Sequence, residues 1–200
     1  EAGTGIGKSL AYLLPAIEWA VLNRQRVVIS TNTINLQEQL VDKDIPQLTD
    51  ILYDFRYQIL KGRSHYLCRQ QLDALRRRGP RNEDEMRVLA KILYWLPSTI
   101  DGDGDELFLP TQSERRVWHD LSAASEACDT EHCGFFHGGR CFFYQARAKA
   151  EGAHLLIVNH ALLLADLATQ SRVLPEYEVL IVDEAHHLER ATTDSMHYQV

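Results

Sequence analysis

The sequence predicts a parallel α/β domain, with helices on both faces of its sheet, interrupted by one large and mainly helical insertion. Three observations predict it. Short apolar runs alternate with helical periodicity towards both ends of the chain, a glycine-rich loop opens the first helix, and residues 63–150 break the alternation and hold all four cysteines. Strand–helix alternation buries its apolar faces by building a parallel sheet covered by the helices.

The elements follow in order. Glu1-Ala2-Gly3-Thr4-Gly5-Ile6-Gly7-Lys8-Ser9 is the loop, and Leu10, Leu13, Leu14, Ile17 and Val21 after it recur at helical spacing. Pro15 is expected to kink that helix, because it lacks an N–H and crowds the preceding turn. Val27 to Ser30 reads as a short buried strand, and Thr31 to Val41 as a loop into a helix capped by Thr33. Arg56 to Leu60 is a further strand, ended by Lys61-Gly62. Inside the insertion, helices are expected over about 66–78 and 83–96. Pro97 to Pro110 is rich in turn residues. Alternation resumes with the strand Leu155 to Val158, a helix from His160 to Ala168, the strand Val179 to Val182, and a helix beginning near Ala185. The expected organisation is residues 1–60 as the first part of the α/β domain, 61–150 as the insertion and 151–200 as the return. No strand precedes the opening loop to feed it, so a longer protein is expected.

Composition narrows the function classes. With 45% hydrophobic and 24% charged residues the chain is neither collagen-like nor disordered as a whole. No apolar run reaches the roughly 20 residues that span a bilayer, so no membrane partner is expected. Four irregularly spaced cysteines are too few for a disulfide framework, which favours a reducing, cytoplasmic compartment. The net charge of −7 argues against non-specific nucleic-acid binding, but it is unevenly spread: residues 1–100 carry 14 basic and 11 acidic side chains, residues 101–200 carry 7 and 17. Arg56, Lys61, Arg63, Arg69, Arg76, Arg77, Arg78 and Arg81 face a single acid, Asp73, in a stretch that includes Tyr57 and Tyr66. Basic groups with aromatic rings supply phosphate neutralisation and a stacking surface, so Arg63 and the Arg76, Arg77, Arg78 run are expected to contact a single nucleic-acid strand, which the resemblance named below implies is DNA.

Two motifs carry phosphate chemistry. Ala2 to Ser9 fits the phosphate-binding P-loop, with Gly3, Thr4, Gly5, Ile6 and Gly7 turning backbone N–H groups around phosphate oxygens. Lys8 can reach the β- and γ-phosphates and Ser9 can ligate Mg²⁺. Asp183-Glu184-Ala185-His186 follows an apolar strand, at the carboxyl end of a sheet where open α/β folds bind ligands. There Asp183 can hold Mg²⁺ through water, while Glu184 orients and deprotonates the attacking water. Alone, the two acids would equally suit a helix cap and first turn. In one chain with a P-loop they make an ATP site.

Cys68, Cys128, Cys133 and Cys141 give one distant thiol, then spacings C-x₄-C and C-x₇-C. Four thiolates suit a zinc ion or a [4Fe–4S] cluster, His132 and His137 can join a zinc site, and unliganded buried cysteines pack well too. Phe135, Phe136, Phe142, Phe143 and Tyr144 would shield a cluster and would equally suit a small core. Spacing leaves these readings open. Asp101 to Glu106 lacks the glycine and final glutamate of a calcium loop and reads as an acidic turn.

The combination resembles the superfamily 2 helicases of DEAH type, which are P-loop NTPases with a RecA-like sheet. Residues 1–9 are similar to their motif I, Asp183 to His186 to motif II, and Val28 to Leu40 to motif Ia, which in the family touches the backbone of the tracked strand, here through Thr31. Leu60-Lys61-Gly62-Arg63-Ser64-His65-Tyr66-Leu67-Cys68 with the later cysteine triplet resembles the iron–sulfur insertion of the DinG and XPD helicases, and Val158 to Leu163 the segment that returns to the motor. One early and three late cysteines sit closer to bacterial DinG and YoaA. The resemblance implies that all four cysteines hold a [4Fe–4S] cluster and that His186 couples ATP hydrolysis to strand movement. It implies a motor moving 5′→3′ on single-stranded DNA that opens forked or displaced-strand DNA, completed by a second motor domain with an arginine finger. Two other readings stand beside it: an ATP-regulated nuclease on the same motor, and a metal-stabilised DNA-binding module with a vestigial P-loop.

Overall fold

The computed structural model describes residues 8–49, 52, 54–169 and 173–188, which form two compact units, one of residues up to Lys61 and from Arg147 onward, the other Gly62–Ala146. In chain order the first unit begins with α1 (Lys8–Asn23), β1 (Val27–Thr31), α2 (Ile34–Gln39), α3 (Pro46–Thr49) and β2 (Tyr57–Ile59). The second carries α4 (Arg69–Arg78), α5 (Glu83–Trp95), α6 (Gln112–Leu121) and α7 (Gly134–His137). Then α8 (Phe142–Glu151) leads back to β3 (Leu155–Asn159), α9 (His160–Ala168) and β4 (Val179–Val182).

The first unit is a four-stranded parallel sheet in the order β2-β3-β1-β4. This is the expected α/β class. β1 is buried along all five residues and β3 along its first four, the pattern of strands covered on both faces. Leu13, Ala16, Ile17 and Ala20 of α1 pack on Val27, Ile29, Leu155 and Ile157, with Leu40, Ile45, Leu48 and Phe55 closing the core. Each large aliphatic side chain buried there contributes roughly 1.5–3 kcal/mol. Pro15 lies midway along α1, and the helix continues past it to Asn23. Thr33 caps α2 by accepting from the Leu36 amide, and a π-helical turn follows, closed by the Ile45 N–H to Leu40 C=O bond of 2.8 Å. At the amino ends of the strands, the Arg26 guanidinium donates to the carbonyls of Ala153, Glu176 and Glu151.

The second unit has its own core. Leu67, Leu72, Leu75, Val88, Ile92 and Leu121 are buried, as are Trp95 and Trp118, whose rings meet edge-to-face at 6.2 Å. A Cβ on Gly104 would fall 2.1 Å from the Trp118 ring, and Gly102 holds φ +66° against Phe142. The glycines of the acidic turn are thus there for close packing. Two expectations shift here. The first insertion helix starts at Arg69 instead of 66, because Tyr66 and Leu67 are extended and bridge to Asp103 and Ser122. α6 was not expected at all, although Thr111 and Glu114 form a reciprocal capping box at its start. Among the described residues no helix is long and apolar enough to cross a membrane.

Candidate functional site

Parallel pairing brings the carboxyl ends of β1, β3 and β4 to one edge of the sheet: Ser30 stands beside Val182 and Thr31 beside Asn159. Asp183 leaves β4 there, its amide donating to the Ser30 carbonyl at 2.8 Å. One turn into α1, the Tyr12 hydroxyl donates to Asp183 Oδ2 at 3.0 Å, and Ser9 hydrogen-bonds with the same phenol. The two expected Mg²⁺ ligands, Ser9 and Asp183, therefore meet at one hydroxyl. Burial, and then the Asp183 carboxylate, push the Tyr12 phenol well above its usual range, so it stays a donor. Asp183 Oδ1 accepts the Glu184 amide at 2.9 Å. Glu184 has left-handed backbone (φ 51°, ψ 42°), which costs a residue with a Cβ about 1–2 kcal/mol and is typical of functional turns. Its carboxylate lies 3.4 Å from His186 Nδ1, and the His186 and His187 rings are 4.0 Å apart. The helix expected near Ala185 opens with a 3₁₀ turn over Ala185–His187, and Leu188, the last described residue, is helical. Gly3, Thr4, Gly5, Ile6, Gly7 and the Lys8 side chain lie outside the described residues.

Sequence reasoning missed Tyr12 and His160 at this edge. Tyr12 stands three residues after Ser9, hence on the same helix face. His160 follows an apolar strand directly, a position that carries a side chain to the sheet's carboxyl edge. It is buried beside Ser30, with Ser30 Oγ and His160 Nδ1 2.7 Å apart. Thr31, expected to touch DNA, is fully buried, and its hydroxyl donates to the Thr33 carbonyl at 3.2 Å. Just beyond it, Thr33 at the cap of α2 and Asn35 in its first turn are exposed.

In the other unit the four thiols form one connected group. Cys68 is buried at the start of α4 beside Cys128, Cys133 is buried at the start of α7, and Cys141 faces both Cys128 and Cys133. All four are free thiols. Burial pushes the Cys68 thiol up to about 11, with Cys128 adding to it, and raises Cys141 as well. Among the described residues no three of these sulfurs lie within 4.8 Å of one another, yet desolvated thiols that act on each other are a soft donor set whose protons a bound metal would displace. The two histidines are turned to their own loop: His132 Nδ1 to Asp129 at 2.6 Å and His137 Nε2 to the Glu131 carbonyl at 2.8 Å. Phe142 and Phe143 are buried, and Phe136 meets Tyr144 edge-on at 4.5 Å.

The basic stretch divides when its partners are seen. Arg63 donates to the Ala123 carbonyl at 2.9 Å and to Cys128 Sγ at 3.4 Å, with its guanidinium 5.4 Å from the Phe143 centroid. The side chain is exposed all the same, so it stands at the edge of the sulfur group with its charge open to solvent. Arg78 forms a bidentate pair with Glu85 at 2.8 Å, and Arg76 lies 3.8 Å from Asp73. Arg76 and Arg77 are exposed on the last turn of α4. Arg69 stacks over Phe142 at 4.2 Å.

Comparison with known proteins agrees with these motifs. The helicase-domain family model DEAD_2 matches residues 121–200. The chain is 39% identical to the ATP-dependent helicase DinG of Mycobacterium tuberculosis (strain H37Rv), over 94% of this chain and 31% of that protein. It is 34% identical to the ATP-dependent DNA helicase YoaA of Escherichia coli, over 94% of this chain and 29% of that one. Over nearly its whole length the chain is similar to one segment of the DinG-type helicases. It spans less than a third of the length of these relatives. A DinG relative from Bacillus subtilis, 36% identical over 98% of this chain and 21% of that protein, is named a 3′-5′ exonuclease.

Proposed function

We propose that this DinG-type segment is the nucleotide-binding half of an ATP-driven DNA helicase motor, and that ATP and Mg²⁺ bind where α1 meets the end of β4. The observation that carries this is the Tyr12 hydroxyl bridging Ser9 and Asp183, which joins the residue after the P-loop lysine to the first acid of motif II. A bound Mg²⁺ would neutralise charge on the β- and γ-phosphates. Ser9 would ligate it directly and Asp183 through water, while Lys8 and the amides of Gly3 to Gly7 hold the phosphates. Glu184 takes the proton of the attacking water, and His186, 3.4 Å from its carboxylate, carries the change towards the DNA side. Motion along single-stranded DNA and opening of forked or displaced strands follow from closure against a second motor domain.

The four cysteines would hold a [4Fe–4S] cluster, which supplies a fourfold crosslink between segments distant in sequence. Arg63 would then donate to a ligand sulfur, while Arg76 and Arg77 offer exposed charge to DNA phosphates.

Two experiments test the reading on the full-length protein. In Glu184→Gln, DNA-stimulated ATP turnover should fall about 100-fold or more, with nucleotide binding kept. Unchanged turnover refutes the assigned base. Anaerobic purification should yield about four iron and four sulfide per chain, falling in Cys128→Ser. One zinc per chain in place of iron would instead favour the zinc reading.

A further inference from the structure

His160 is 1% exposed, at the point where β3 hands over to α9 on the carboxyl edge of the sheet. Its Nδ1 lies 2.7 Å from Ser30 Oγ, and Ser30, also fully buried, accepts the Asp183 amide through its carbonyl at 2.8 Å. The second ring nitrogen, Nε2, is buried with no hydrogen-bond partner. A buried imidazole nitrogen left unpaired is costly and asks for an explanation. The main-chain groups that act on the ring belong to Glu184 and Asp183, and Glu184 is the residue held in left-handed backbone. A histidine bonded to β1 from the end of β3, with the turn after β4 beside it, stands among three strands at this edge.

We propose that His160 is a positioning residue for ATP hydrolysis: seated on Ser30, it holds the Asp183–Glu184 turn and ties it to the strand leading into Thr31–Thr33. With the Ser30 hydroxyl donating to Nδ1, the ring keeps its proton on Nε2. That donor is left to meet a carbonyl of the Asp183–Glu184 turn as the turn closes on nucleotide, in the way that catalytic hydrogen bonds often stand open in a free enzyme and tighten in the reacting complex. The proposal rests on the hydrolytic reading above and adds the means by which the acid turn and the motif Ia strand move together.

The test is DNA-stimulated ATP hydrolysis by the full-length protein, with kcat and KM resolved, in His160→Ala, His160→Gln, His160→Asn and Ser30→Ala,His160→Ala. His160→Ala should lower kcat at least tenfold, with KM for ATP and affinity for single-stranded DNA within about twofold. Glutamine, whose amide nitrogen reaches the Nε2 position, should recover most of the loss. Asparagine reaches only the Nδ1 position and should not. The double variant should be no slower than His160→Ala, as for two groups acting as one. A His160→Ala kcat within twofold of wild type, or asparagine rescuing as well as glutamine, overturns the proposal. If the alanine variant melts early, the glutamine–asparagine comparison decides alone. Turnover that survives Glu184→Gln overturns the hydrolytic reading and this proposal together. Turnover lost there but kept in His160→Ala overturns this proposal only.

Discussion

In the sheet unit, β1 and β3 lie buried along nearly their whole length, and Thr31 at the end of β1, His160 after β3 and Asp183 after β4 come to one edge. In the insertion unit the four thiols stand on a helix start, a loop and two further short-helix starts, supported by a tryptophan pair, glycines pressed on rings and ion pairs. The first unit places side chains by running stiff strands to a common edge. The second has no such frame, and gathers its polar and sulfur groups through contacts between residues far apart in sequence. Damage to the two should therefore have different reach.

The largest effect is expected in the sheet. Ile157, at the centre of β3, is fully buried between β1 and β2, and Ile157→Ala should cost about 2–5 kcal/mol, the usual toll of a lost core side chain and the cavity it leaves. The chain carries its own reporters: Trp19 packs against the sheet core, whereas Trp95 and Trp118 belong to the insertion. In single-tryptophan variants, the urea transition seen by Trp19 should move and that seen by Trp118 should move much less. Equal shifts would break the comparison and make the two units one cooperative block.

Gly104→Ala tests the opposite side at smaller cost. The added methyl would meet Trp118 Cζ2 at 2.1 Å, so the ring must leave its edge-on contact with Trp95 and its Nε1 bond to the Ser64 carbonyl. Overpacking of this kind costs about 1–3 kcal/mol. The near-ultraviolet circular dichroism of the tryptophan pair should weaken, while the Trp19 transition holds. Unchanged tryptophan signals would show that the turn yields without cost.

What the sequence made legible follows the same division. The strands were readable because burial on both faces writes an uninterrupted apolar run, and α9 because Asn159 caps it directly after such a run. In the insertion, periodicity set the helix start at 66, yet Tyr66 and Leu67 are extended, since their partners Asp103 and Ser122 lie tens of residues away. Arg63 shows what charge reading leaves out: the sequence marks a basic side chain in a basic stretch, but not that Cys128, 65 residues on, accepts from it. Thr31 fails for a related reason, because a motif names its residues without saying which of them the strand buries. By contrast, the Thr111-x-x-Glu114 cap of α6 was written in the sequence and left unread.

The smallest effect concerns the Arg78–Glu85 pair, a feature of the insertion alone. Glu85 accepts both Arg78 nitrogens at 2.8 Å and the Arg81 amide at 2.7 Å, in the first turn of α5 where a negative charge also suits the helix end. The Arg78 guanidinium, then the Arg81 amide, hold its carboxyl down at about 2. A depressed carboxyl contributes stability that is complete above the unfolded value of about 4.3, and is lost as pH falls through the folded one. Glu85→Gln keeps the shape and removes the charge. The gap between wild type and variant, read from the Trp118 urea midpoint, should be widest near about pH 6 and should narrow steadily below about pH 4. The Trp19 midpoint should show no gap at either pH. A Trp118 gap that stays constant through the acid range would mean that the carboxylate charge adds nothing, and that the insertion rests on its rings, glycines and thiols.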